Sequence, residues 1–254
     1  MHLNKYGYSK KSELKIMITT DVIIISYKDE VEIKKCVSSV EEHCTGYNLI
    51  IEDNNPPNPN RGFTQAVNDG IQKGVAPFIW LLNSDAVVLP GAQEALIYRF
   101  SYHASVGIVG SMQRDPDDCD LIRHGGTFPH PFPGGRHKGG RVSMGHCRIP
   151  EKQTWVNFAS VMFRREMVEK IGPMDESMFL LYSDSDYCYH ARSEGWEVWY
   201  EPGSQVLHRL NASSGVTEWH KKDMEAFMKK WGIILLPNNQ FAYSEKFRNL
   251  DKLP

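Results

Sequence analysis

Several places in this 254-residue chain carry residue types that can do chemistry. The first is Asn83-Ser84-Asp85, directly after the apolar run Phe78 to Leu82. A carboxylate at the end of a buried strand can bind a divalent cation that also grips phosphate, since magnesium sites often use only one or two protein carboxylates. The same Asp can instead cap the next turn. The second is Tyr182-Ser183-Asp184-Ser185-Asp186. Its two carboxylates flank a helix start, where free N–H groups and the helix dipole favour the ionised form. An ionised Asp held there can accept a proton from a hydroxyl, or it can simply cap the helix. The third is His208, after Val206-Leu207 and before Arg209, Asn211, Ser213 and Ser214. A neutral imidazole is a ligand for manganese-like metals, or a structural group. The fourth is Glu52-Asp53-Asn54, whose carboxylate can meet a nucleobase edge or a ribose, or serve a turn.

These groups need elements to hold them. Val22 to Ile25 reads as a buried, β-branched strand, and Leu49-Ile50-Ile51, Phe78 to Leu82 and Val106 to Val109 read as three more. Amphipathic stretches alternate with them. One begins near Asp29 and Glu32, one carries Phe63, Ala66, Val67 and Ile71 up to Gly74, and one runs from Pro90 at a first helical position to Phe100. This alternation predicts a Rossmann-like, mostly parallel α/β sheet flanked by helices. Ligands bind beyond the carboxyl ends of the strands in such sheets. That puts Ser26-Tyr27, Glu52-Asp53-Asn54 and Asn83-Ser84-Asp85 on one rim.

The pattern changes over residues 112–153, which are rich in Gly, Pro and His and nearly aperiodic. They read as a long binding loop or lid. The glycine pairs there lack the strand–loop–helix context of a phosphate loop. His124, His130, His137 and His146 lack ligand spacing, so a zinc cluster is not expected. Trp155 to Phe163 then reads as a strand, followed by a helix to Gly172 and one from Ser183 or Asp184 to Gly195. Two short strands, Glu197 to Tyr200 and Gln205 to His208, precede a helix over Thr217 to Trp231 and a polar tail.

The charges nearly cancel, 29 basic against 31 acidic residues, which argues against bulk nucleic acid as a partner. No apolar run approaches the roughly 20 residues that a membrane span needs. The polar N-terminus lacks the apolar core of a signal peptide. The five cysteines are scattered and read as reduced thiols, so a cytoplasmic setting is expected. In the last helix Trp219, Phe227, Met228 and Trp231 mix with Lys221, Lys222, Lys229 and Lys230. Packing on the core, with solvated lysines, or a homodimer contact is favoured over peripheral attachment to the inner face of a membrane.

Taken together, the ordered motifs resemble a family 2 glycosyltransferase with a GT-A fold, of the rhamnosyltransferase-like kind. The resemblance covers residues 20–215. It rests on Val22-Ile23-Ile24-Ile25-Ser26-Tyr27, on Ile51-Glu52-Asp53-Asn54, and on Asn60-Arg61-Gly62-Phe63 with Asn68 and Gly70. Trp80-Leu81-Leu82-Asn83-Ser84-Asp85 resembles the strand ending in the family's D-x-D-type motif, with Asn83 in place of the first acid. The most specific match is Ile171-Gly172-Pro173-Met174-Asp175-Glu176 running into Tyr182 to Asp186, then Arg192, Gly195, Pro202 and His208. Ser183 departs from the family's usual Glu.

The resemblance implies a single GT-A domain over residues 21–215, between an N-terminal arm (1–20) and a C-terminal helix and tail (216–254), with 112–153 facing the acceptor. It implies hexosyl or deoxyhexosyl transfer, with inversion, from a nucleoside-diphosphate sugar to a saccharide or lipid-linked acceptor, as in polysaccharide biosynthesis. Asp184 would be the base. Asp85 and His208 would hold Mn²⁺ or Mg²⁺. Ser26, Tyr27, Asp53, Arg61, Asn68, Asn83 and Ser84 would line the donor site, and Asp186 and Trp155 would orient a loop or meet the acceptor. The competing readings are a metal-dependent nucleotidyltransferase and a non-catalytic nucleotide-sugar binding module. The first would call for a Gly-rich, basic loop where this chain has Ser26-Tyr27-Lys28-Asp29.

Overall fold

The structure is a computed structural model describing residues 19–128, 136–209, 217–238 and 240–250. His130, Asn211, Ser213, Ser214 and nearly all of the N-terminal arm lie outside the described residues. In chain order the elements are β1 (Thr20–Ser26), α1 (Glu32–His43), β2 (Tyr47–Asp53), α2 (Phe63–Lys73), β3 (Phe78–Asn83), β4 (Val87–Val88), α3 (Ala92–Phe100) and β5 (Val106–Arg114). The short strands β6 (Leu121–His124), β7 (Thr127–Phe128), β8 (Arg136–His137), β9 (Gly140–Arg141) and β10 (Glu151–Lys152) follow. Then come β11 (Ser160–Arg164), α4 (Arg165–Ile171), α5 (Ser183–Ser193), β12 (Glu197–Leu207), α6 (Thr217–Trp231), β13 (Ile233–Leu235), β14 (Phe241–Tyr243) and α7 (Glu245–Leu250).

The central sheet runs β10-β12-β5-β11-β3-β1-β2. β1 is parallel to β2 and β3, β12 is parallel to β5, and β11 lies antiparallel between β3 and β5. Side chains alternate across it. Val22 and Ile24 pack with Cys36 and Val40 of α1 and with Leu96 and Phe100 of α3. Ile23 and Ile25 pack on the other face with Ala66 and Val67 of α2, Met167 of α4, Tyr187 of α5, and Phe227 and Trp231 of α6. Both faces are covered, which is why β1 needs apolar residues at every position. The result is the expected mixed, mostly parallel sheet flanked by helices in a single GT-A-like domain.

Several local expectations are corrected. Residues 112–153 are not structureless. β5 runs on to Arg114, β6 pairs with β5 and β9, β7 pairs with β8, and β10 joins the edge of the sheet through β12. These strands are two to four residues long, too short for alternation to show in sequence. Trp155 to Ala159 is not strand, and β11 starts only at Ser160. The two strands expected after Gly195 are one, β12, whose register shifts between Glu201 and Gln205 at Pro202-Gly203, a bulge that read as a break. Pro90 is not the first residue of α3; left-handed Gly91 intervenes. The polar tail folds into β13, β14 and α7, with Phe241, Tyr243 and Phe247 packed against the core. α6 also turns its apolar side inward, with Phe227 and Trp231 essentially unexposed.

Candidate active site

The strand ends define a rim. Ser26 is in register with Asp53, and Ile25 with Asn83, so the tails of β1, β2 and β3 are neighbours. β11 runs antiparallel to β3 and to β5, so β5 and its parallel neighbour β12 point the same way as β3. His208, one residue past β12, therefore comes to the same rim. Its partner is set by β4: Val206 and Leu207 pair with Val88 and Val87, just after Asp85. His208 Nε2 lies 3.3 Å from Asp85 Oδ1 and 3.4 Å from Asn83 Nδ2.

The state of that imidazole follows from a chain of amides. The backbone N–H of Ala159 donates to Asn157 Oδ1 (2.9 Å), which identifies that atom as oxygen. Gln113 Nε2 donates to the same oxygen (2.9 Å), so Gln113 Oε1 faces His208 Nδ1 at 3.1 Å. Nδ1 must then carry a hydrogen, so Nε2 is the ring nitrogen that faces Asp85. Gln113 is fully buried. Beyond Asn157, its backbone N–H reaches His124 Nε2 (3.3 Å), and His124 Nδ1 meets His137 Nδ1 at 2.7 Å. Burial holds the pKa of His124 well below 6.5 and lowers that of His137, so both imidazoles are neutral near pH 7. Gln113 and Asn157 were not singled out in the sequence, where a buried amide leaves no periodic signal.

Asp85 and His208 are chemically suited to a divalent cation. A carboxylate oxygen and an imidazole nitrogen each about 2.1 Å from one ion at right angles stand about 3.0 Å apart, close to the separation here. Among the described residues no third His, Cys, Asp or Glu joins them, which leaves room for phosphate oxygens and water. Of the loop histidines, His124 and His137 meet each other through their Nδ1 atoms. His146 instead accepts the backbone N–H of Arg141 (3.1 Å).

At the other side of the rim Asn55 Nδ2 donates to Ser26 Oγ and to Asp53 Oδ1, both at 2.9 Å, and Ser26 Oγ donates to Asp29 Oδ1 (2.7 Å). Asp53 is exposed, and the backbone and side-chain N–H groups of Asn55 hold its carboxyl below the usual range. Tyr27 is exposed beside it, and Ser84 is half-buried. Asp29 Oδ2 is buried and has no partner. Read as a helix-start residue, Asp29 instead adds an acid to this rim; its signal was its place on the same loop as Ser26 and Tyr27.

Two residues expected at the donor have protein partners of their own. The Arg61 guanidinium is held by Asn54 (3.2 Å), Glu52 (3.2 Å) and Asp69, tying the end of β2 to α2. Asn68 is buried, and its amide exchanges hydrogen bonds with the backbone of Met174 (both 3.0 Å) and donates to Glu176 (2.9 Å). Asn68 braces the loop before α5, while Arg61 is anchored at the end of β2, beside the rim. Gly62 belongs to that brace. Its φ is +85°, and a Cβ there would come within 2.6 Å of the Phe179 ring.

That loop delivers α5. Phe179 O accepts the N–H of Phe63 (2.8 Å), placing the loop beside the end of β2. α5 then leads back to Glu197, in register with Val106 at the opposite edge, so Asp184 starts from the strand-end side. Asp184 is not a helix cap, since the capping position is Tyr182 and no side chain caps it. Asp184 Oδ1 accepts the N–H of Ser185 (2.7 Å). The side chain keeps a partial opening to solvent, yet protein crowding raises its pKa to about 6. Asp186 is buried, with one oxygen on Lys230 Nζ (2.7 Å) and the other on Trp231 Nε1 (2.8 Å). Neither oxygen is open to an acceptor. Trp155 is buried against His124 and His137.

No curated protein sequence matches the chain significantly. Among solved structures it is similar to GalNAc-T7 with UDP, GalNAc and Mn²⁺ (TM-score 0.65, 13% identity, 84% of this chain and 48% of that one). It is also similar to the mannosyltransferase PcManGT from Pyrobaculum calidifontis in complex with GDP-Man and Mn²⁺ (0.53, 11%, 82% and 60%) and to S. aureus TarS (0.57, 9%, 84% and 38%). The chain thus spans between 38% and 60% of those chains, and the likeness is one of fold. The model described as "Glycosyltransferase like family 2" matches residues 11–230, most of the sequence, and the chain belongs to that family.

Proposed function

We propose that this protein is an inverting glycosyltransferase that moves a sugar from a nucleoside-diphosphate donor to an acceptor hydroxyl. The observation that carries the reading is the meeting of Asp85 and His208 at the strand-end rim. Ser26, Tyr27, Asp29 and Asp53 line the nucleoside side of the donor pocket. Asp85 and His208 hold Mn²⁺ or Mg²⁺. When bound, such an ion neutralises negative charge on the leaving diphosphate. Asp184 takes the proton of the acceptor hydroxyl as that oxygen attacks the anomeric carbon from the face opposite the diphosphate. The C–O bond to the diphosphate breaks as the new glycosidic bond forms, and no covalent enzyme intermediate arises. A carboxyl with a pKa near 6 is ionised at pH 7 yet basic enough to take a proton, which suits this role.

Residues 21–215 carry the transfer site, and 112–153 face a saccharide or lipid-linked acceptor. Among the described residues no helix is long and apolar enough to cross a membrane. The reading is tested by thermal-shift screening of nucleotide sugars with and without Mn²⁺. A true donor at 100-fold its Kd adds about 2.7 kcal/mol of stability. No shift with any uridine, guanosine or thymidine diphosphate sugar, with or without Mn²⁺, would refute it. Release of pyrophosphate in place of nucleoside diphosphate would favour nucleotidyl transfer.

A further inference from the structure

The segment between α4 and α5 has no regular structure, yet it decides where Asp184 stands. One residue of α6 holds it. Asp223, 1% exposed, accepts consecutive backbone N–H groups, from Phe179 on Oδ1 (2.9 Å) and from Leu180 and Leu181 on Oδ2 (2.9 and 2.8 Å). Its neighbours on the same helix face grip the same segment. Trp219 stacks on Phe179 with centroids 4.1 Å apart, and His220 Nε2 meets the Tyr182 hydroxyl at 3.2 Å. Phe227 packs on the Tyr182 ring, and Lys230 and Trp231 bind Asp186. Positions 219, 220, 223, 227, 230 and 231 share one face at helical spacing.

We propose that Asp223 is a positioning residue for the transfer reaction, its buried carboxylate fixing the turn 179–181 and so the stance of Asp184 on the rim. The proposal rests on the reading of Asp184 as the base. Converging backbone N–H groups favour an anion, and bonds to a charged acceptor are stronger than neutral ones. With both oxygens occupied by the backbone, Asp223 has no free oxygen for substrate. The turn also carries strain that needs an outside hold, because Tyr182, two residues before Asp184, has a φ of +62°. An amide cannot replace the carboxylate. One of its ends is an NH₂ group, which would face the N–H of Phe179 or those of Leu180 and Leu181.

The test compares wild type, Asp223→Asn and Asp184→Asn in the full chain. UDP and GDP with Mn²⁺ are the binding probes, by titration calorimetry. Turnover is release of nucleoside diphosphate from whichever of UDP-glucose, UDP-N-acetylglucosamine, GDP-mannose and dTDP-rhamnose the wild type cleaves. For Asp223→Asn we expect kcat to fall on the order of 10²-fold, the cost of misplacing a reacting group by about 1 Å. Nucleotide Kd should stay within about twofold on the same argument. Hydrogen exchange should quicken at the amides of 179–181. A merely structural role would lower the melting temperature without separating kcat from Kd. Should Asp223→Asn not fold, His220→Ala, at an exposed position, releases only Tyr182 and should lower kcat a few-fold at unchanged Kd. A folded Asp223→Asn with wild-type kcat, or with kcat and Kd impaired together, overturns the proposal. Wild-type turnover in Asp184→Asn instead sinks the base assignment, and this proposal with it.

Discussion

Replacing Asp184 with Asn should cut turnover sharply and stabilise the fold. The Asp184 carboxyl has its pKa raised from 3.8 to about 6, burial being the main cause and the Ser185 bonds opposing it. The folded state therefore binds this proton more tightly than the unfolded chain. Below pH 3.8 both states are protonated and nothing is lost. Between 3.8 and 6 the unfolded chain ionises first, and above 6 the full penalty is present. Two units correspond to about 3 kcal/mol, and partial solvent access reduces that to roughly 1.5 kcal/mol. Asn keeps the shape and an oxygen for the Ser185 N–H but carries no charge. At pH 7 it should raise the melting temperature by about 3–6 °C, at roughly 2–4 °C per kcal/mol for a chain of this size. The same change removes a general base, which contributes about 10²- to 10⁴-fold, or about 2.7–5.4 kcal/mol of barrier. In the wild type, kcat should be half-maximal near pH 6 and drop about tenfold per unit below it. Nucleoside diphosphate release between about pH 3.5 and 8, with thermal melts of both proteins, reads all three effects. Turnover of Asp184→Asn within threefold of wild type, or an acidic limb near pH 4 with no gain in melting temperature, would refute the reasoning.

Gln113→Leu removes the acceptor that fixes the His208 tautomer, and Mn²⁺ affinity should fall about 10- to 100-fold; calorimetry of UDP with Mn²⁺ checks this, and unchanged affinity contradicts the tautomer argument. Arg99 and Glu201 form a buried ion pair at 2.7 Å. Arg99→Ala should cost about 3–5 kcal/mol by stranding the carboxylate, seen as a lower melting temperature at unaltered nucleotide affinity in the protein that remains folded. Gly62 and Gly91 share a positive φ, but only Gly62 is crowded by Phe179. Gly91→Ala should cost about 1–2 kcal/mol of backbone strain, whereas Gly62→Ala should cost more and lower kcat as well; equal melting shifts would remove Phe179 from the argument.

Legibility followed the range of the signal. Val22 to Ile25 announced a central strand because both its faces are covered, and a strand buried on both faces must be apolar throughout. The helices of Glu32, Phe63 and Thr217 announced themselves by period. The strands of 112–153 did not, because two to four residues are too few to display an alternation. Arg61 and Asn68 look in sequence like groups awaiting a ligand. Their partners, Glu52, Asp69, Met174 and Glu176, are set by the packing of α2 against β2 and the loop before α5.

The sequence by itself determined the longer strands and helices and which acids follow a strand or open a helix. Those features are local, and Asp53, Asp85 and Asp184 were visible through them. Only the tertiary structure decided what these acids meet. Asn83 and His208 stand 125 positions apart and come within 3.4 Å because β4 and β12 pair. Gln113, Asp29 and Asp223 have roles that depend on which polar atoms lie opposite them. Hydrogen-bond partners across a fold are chosen by packing, and one chain's periodicity carries no record of that choice.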